Sequence, residues 1–79
     1  MANLNEVTAA NVRAEIARRR IRQSDVARAL RVSQPAVSQR LNGHVPFTLA
    51  DLEALAELLG IDVAELLQPR SLQPLGATA

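Results

Sequence analysis

The sequence predicts an all-α domain built from five short helices. Apolar residues recur at i,i+4 spacing, helix-start chemistry appears repeatedly ahead of them, and Gly43 and Gly60 stand directly behind two of the apolar runs. At 79 residues the chain allows one small domain. The expected boundaries are 1–68 for that domain and 69–79 for a tail that is flexible or serves as a dimer arm.

The first helix is expected from about Thr8 to Arg20. Val12 and Ile16 point inward, Ile21 continues the core just past the end, and Arg13, Arg18, Arg19, Arg20 and Arg22 crowd the exit. In the second, Ser24 to Leu30, residues Val26, Ala27 and Leu30 share one face. Ala27 is small enough for another helix to cross closely over it. Ser33 sits where an N-cap belongs for the third helix, with Pro35 in the first turn and Val37 and Leu41 as its apolar pair. The fourth begins with Thr48 as N-cap, Asp51 at N3, and Phe47 placed to staple onto Leu52. Its inner face is Leu52, Leu55, Ala56 and Leu59, its outer face carries Asp51, Glu53 and Glu57, and Gly60 ends it. The fifth repeats this grammar: Asp62 caps, Glu65 completes a capping box, Ile61 staples to Leu66, and Gln68-Pro69 stops the helix. Leu58, Leu66 and Leu67 exceed what so small a core is expected to hold. Together with Leu72 and Leu75 of the tail they form the expected dimer surface, ordinary packing of the fifth helix being the alternative.

Residues 23 to 43, QSDVARALRVSQPAVSQRLNG, read as two helices joined by a tight turn, the second carrying Gln34, Ser38 and Gln39 on its non-apolar face. That is the layout of a motif that places a helix in the DNA major groove. Gln can pair bidentately with adenine, and Ser can reach a base edge or a phosphate. The stretch resembles the Cro/repressor (XRE-like) helix-turn-helix family in Gln23, Ala27, Val32-Ser33-Gln34 and the closing Asn42-Gly43, with the resemblance running over residues 10 to 67. The resemblance implies a five-helix, lambda-repressor-like DNA-binding domain. It further implies that Gln23 and Asn42 hold phosphates and that Gln34, Pro35, Ser38 and Gln39 face the bases.

Three departures from the family pattern bear on this. Arg31 stands where a turn glycine is usual, so a differently shaped turn is expected. Arg22 replaces the usual Ser or Thr cap, leaving Ser24 to cap the helix or its end to fray. The order Arg40-Leu41 shifts the core anchor by one residue and is expected to free Arg40 for DNA.

The formal net charge of +1 hides a division. Residues 1 to 44 hold eight Arg against Glu6, Glu15 and Asp25, a balance of +5, whereas residues 45 to 79 come out at −4. The basic half coincides with the motif, so its arginines are expected near a polyanion. The phosphate-contacting set is Arg18, Arg19, Arg20, Arg22, Gln23, Ser33, Arg40, Asn42 and His44.

Other chemistries find little to use. There is no Cys and one His, too few ligands for a metal, and no cofactor is expected. His44 lacks an orienting acid and an oxyanion site, and the three glycines are too scattered for a phosphate loop, so an enzyme is not expected. Phe47 is the sole aromatic, which argues against single strands and RNA. No apolar run is long enough to span a bilayer and the N-terminus lacks a leader pattern, so the expected location is the cytoplasm or nucleoid of a bacterial cell.

The expected function is sequence-specific binding of double-stranded DNA by a homodimer that occludes a promoter, as a Cro-like or repressor-like switch of a phage or mobile element. A restriction-modification controller and a DNA-binding antitoxin share this biochemistry. The acidic face of the fourth helix leaves room for a contact with RNA polymerase. A helical protein-interaction module without DNA binding is the alternative from another class.

Overall fold

The computed structural model describes residues 3–69, which form five helices: α1 (Leu4–Arg18), α2 (Gln23–Leu30), α3 (Gln34–Leu41), α4 (Leu49–Leu59) and α5 (Val63–Leu67). Helix α1 packs on α3 and α5, α2 on α3 and α4, and α4 on α5. The core joins Val12 and Ile16 of α1 to Val26, Ala27 and Leu30 of α2, Val37 and Leu41 of α3, and Leu52, Leu55 and Leu59 of α4. Ile21 and Phe47 pack against it half-buried.

Helix α1 starts four residues before the expected Thr8. Asn3 caps it, its Oδ1 accepting from the Glu6 amide at 2.8 Å while Glu6 Oε1 accepts from the Asn3 amide at 3.2 Å. That reciprocal box satisfies two amides that would otherwise lack partners. At the other end the helix stops at Arg18 rather than Arg20. Arg20 takes a positive φ of 56°, and the Ile21 amide closes back on the Ile16 carbonyl at 2.9 Å.

Helix α2 does not fray, and Ser24 does not cap it, because Ser24 lies inside the helix. Arg22 occupies the N-cap position, where Asp25 Oδ2 accepts from its amide at 3.2 Å. A carboxylate in the first turn also favours the positive end of the helix dipole. Nor is the motif turn reshaped. Arg31 adopts φ 60°, ψ 43°, the left-handed conformation that the missing glycine would have supplied. A side chain there costs about 1–2 kcal/mol.

The starts of α3 and α4 follow their capping residues. Ser33 Oγ accepts from the Ala36 amide at 3.2 Å, and Thr48 and Asp51 exchange hydrogen bonds at 2.9 and 3.0 Å. At α5, Glu65 Oε2 accepts from the Asp62 amide at 3.3 Å. Two members of α4 and α5 sit differently from expectation. Asp51 belongs to the interior, 8% exposed, rather than to the outer acidic face. Leu66 is fully buried at 0%, because α5 is clamped to α1: buried Asn11 donates its side-chain amide to the Leu66 carbonyl at 2.9 Å and to that of Gln68. Leu66 therefore fills this domain's own core and is withdrawn from the dimer surface.

Candidate nucleic-acid interface

The site is built on α3. Val37 and Leu41, 0% and 4% exposed, hold the helix to the core, and Ala27 on α2 lets the two helices approach. With 3.6 residues per turn, Gln34, Pro35, Ser38 and Gln39 then fall on one arc of about 140° that begins beside Leu41 at Gln34 and runs outward from there. Gln34, Pro35, Gln39 and Asn42 are exposed and Ser38 is half-buried. The arc offers amide, hydroxyl and ring edges and no charge, which suits base edges better than phosphates.

The far end of α3 is held by α1. Asn5 donates to the Gly43 carbonyl at 3.0 Å, and the Arg13 guanidinium donates to the Leu41 carbonyl. Both carbonyls would otherwise lack helical partners. Neither Asn5 nor Arg13 carries a local sequence signal for this, since their partners lie 38 and 28 residues away.

A second brace comes from α4. Arg40 Nε meets Asp51 Oδ2 at 3.2 Å and one of its terminal nitrogens donates to the Ala36 carbonyl at 3.0 Å. Its side chain is 17% exposed. The shifted register thus does not free Arg40; it spends the guanidinium on joining α3 to the first turn of α4, and Arg40 leaves the set of available cations.

The remaining basic residues divide by partner. Arg18 and Arg19 both pair with the buried carboxylate of Glu15, Arg18 at 2.9 Å. Arg28 lies 3.7 Å from Asp25 in the open. Arg20, Arg22 and Arg31 are exposed, and among the described residues their guanidinium groups have no ion pair or hydrogen bond. Gln23 opens α2, while Ser33 and His44 flank α3; all three are exposed. Arg31 is absent from the phosphate set drawn from the sequence, where it counts only as a missing glycine.

Away from α3, Leu4, Leu49 and Leu58 are the exposed large apolar side chains among the described residues, at 60%, 78% and 37%. Leu4 and Leu49 border an apolar groove of about 300 Å3 that Pro46, Phe47 and Leu67 also line. Leu67 is half-buried there, and Leu72 and Leu75 lie outside the described residues. No helix among the described residues is long and apolar enough to cross a membrane.

An outward helix that follows a second helix across a tight turn is the layout of helix-turn-helix DNA-binding domains, a class that is typically non-enzymatic. The family model for the helix-turn-helix domain matches residues 9–68, and the chain belongs to that family. The match agrees with the Cro/repressor (XRE-like) pattern of residues 10 to 67. No curated protein and no solved structure matches the chain.

Proposed function

We propose that this protein is a sequence-specific regulator that binds double-stranded DNA with α3 in the major groove and represses by occluding a promoter. The observation that carries the reading is the uncharged polar arc of Gln34, Pro35, Ser38 and Gln39 on a helix braced by Asn5 and Arg13 at its end and by Asp51 at its side. Gln34, Gln39 and Ser38 read base edges, for which the bidentate pairing of Gln with adenine is one mode, and Pro35 contributes shape or a thymine-methyl contact. Arg18, Arg19, Arg20, Arg22, Gln23, Ser33, Asn42 and His44 set the register on phosphates. For Arg18 and Arg19 this means sharing or leaving Glu15.

The biological setting we propose is a Cro-like switch of a phage or mobile element in a bacterial cytoplasm, acting as a homodimer on a pseudo-palindrome. On such a site the two half-sites lie about 34 Å apart, one turn of the duplex. Of the leucines first considered for self-association, Leu58 is exposed and Leu67 lines the groove. The exposed Glu53 and Glu57 on α4 remain open to RNA polymerase. The groove around Leu49 is the observation that favours the second reading, a protein-interaction module.

Selection of duplexes from a random pool by the full chain is expected to enrich one motif. On that motif Gln34→Ala weakens binding by about 1–3 kcal/mol, while random duplex is bound nearly as before. Equal losses on both duplexes would show that α3 does not read the bases through this arc.

A further inference from the structure

Helices α1 to α4 all end with the same closure. A backbone amide reaches back five residues to a carbonyl of the last turn: Ile21 to Ile16 at 2.9 Å, Val32 to Ala27 at 3.0 Å, His44 to Gln39 at 2.9 Å and Ile61 to Ala56 at 3.0 Å. The closure places the residue before the donor in the left-handed region, which glycine enters without steric penalty. Gly43 and Gly60 do this behind α3 and α4, at φ 81° and 71°. Behind α1 and α2 the same conformation falls to Arg20 and Arg31, at φ 56° and 60°. Both strained positions bracket α2, the first helix of the motif.

The closing hydrogen bonds and the packing of Ile21 and Val32 on the core offset this backbone strain, but no partner among the described residues holds either arginine side chain. Both arginines are exposed, and among the described residues neither guanidinium has an ion pair or hydrogen bond. Arg13, Arg18, Arg19, Arg28 and Arg40, by contrast, all have partners, and Arg22, whose guanidinium also has none among the described residues, sits at an ordinary φ of −84°. The closure asks only for a left-handed residue, which glycine supplies at Gly43 and Gly60, so side chains at Arg20 and Arg31 point to a use outside the interior. Arg31 also stands two residues ahead of Ser33, the N-cap of α3, so its charge adds to the positive end of that helix.

We infer that Arg31 is a phosphate-binding residue of the DNA interface, acting opposite Arg20 at the other end of α2; this rests on the DNA-reading function proposed above. The eight residues of α2 span about 12 Å, close to the width of the major groove. Arg31 follows the last residue of α2 directly and Arg20 precedes its N-cap by two residues. From that placement the two cations can reach phosphates on opposite sides of the groove that receives α3, and a guanidinium fits a phosphate bidentately.

The test uses the full chain and the variant Arg31→Gly. Its thermal midpoint is expected to rise, by about 4–8 °C, as the strain is released. At the same time its affinity should fall several-fold for selected and scrambled duplexes alike, and the slope of log K against log salt should shrink by about 0.9 for each protomer bound. Arg31→Lys should keep the parental slope without the gain in midpoint. A merely structural residue would not move stability and affinity in opposite directions. The inference is overturned if Arg31→Gly keeps the parental affinity and slope, or if its midpoint fails to rise. If the unmodified protein binds no duplex even at low salt, the DNA-reading function itself falls and the inference with it, so the parental titration separates the two failures.

Discussion

Leu66→Ala is expected to destabilise the domain by about 2–5 kcal/mol in urea unfolding, the range for truncating a fully buried leucine. The loss is large because α5 has five residues, Val63 to Leu67, and Leu66, at 0% exposure, is the residue by which it enters the core. The void left behind cannot close by sliding the helix. Asn11 holds the Leu66 carbonyl at 2.9 Å and fixes how far α5 sits from α1. A domain of this size has about 5–15 kcal/mol in all, so the truncation removes a sizeable share of it. Leu58→Ala, at a position 37% exposed, should cost well under half as much. If Leu66→Ala left the unfolding curve in place and instead changed the association state, Leu66 would be a dimer residue after all.

The second large effect is expected at Asp51. Asp51→Ala removes the carboxylate that accepts from the Thr48 amide at 3.0 Å and that pairs with Arg40 at 3.2 Å. The N-cap Thr48 stays in place, and the lost hydrogen bond to its amide is worth about 0.5–1.5 kcal/mol. The remaining cost falls on Arg40, which is 17% exposed and cannot turn fully to water. Stranding a mostly buried cation costs up to about 3–5 kcal/mol in a fully buried setting, and with this residual exposure the combined loss is expected near 2–4 kcal/mol. Asp51→Asn keeps an acceptor for the Thr48 amide and should lose less than half of that. The variant should also speed amide exchange in the second half of α3, because Arg40 is what ties that half to α4. An Asp51→Ala protein within about 0.5 kcal/mol of the parent, the range of an ordinary surface change, would mean that the pair is not a brace.

What the sequence could disclose depended on how local each determinant is. Thr48 with Asp51 and Asp62 with Glu65 announce helix starts within four residues, and the starts of α4 and α5 were legible for that reason. The same grammar in Asn3 and Glu6 starts α1 four residues ahead of Thr8. At Arg31 the sequence showed a departure from glycine without deciding its consequence. A turn can reshape to avoid a left-handed side chain or can bear the strain, and this one bears it. Arg40 and Asp51 are eleven residues apart on different helices, and Arg13 meets Leu41 across 28. Both contacts depend on how the helices dock, which periodicity does not specify. The burial of Leu66 is of the same kind, since it follows from the clamp that Asn11 places on α5.

Fluorescence anisotropy of a selected duplex beside its scrambled counterpart, titrated with the full chain at two salt concentrations, tests the central claim most directly. Tighter binding to the selected duplex at both concentrations, with both affinities falling as salt rises, is the expected result for an arc that reads bases beside arginines that hold phosphates. Equal affinity for the two duplexes would leave α3 without a reading role. No binding to either at the lower salt concentration would contradict DNA recognition by this chain and turn attention to the apolar groove at Leu49 as the functional surface.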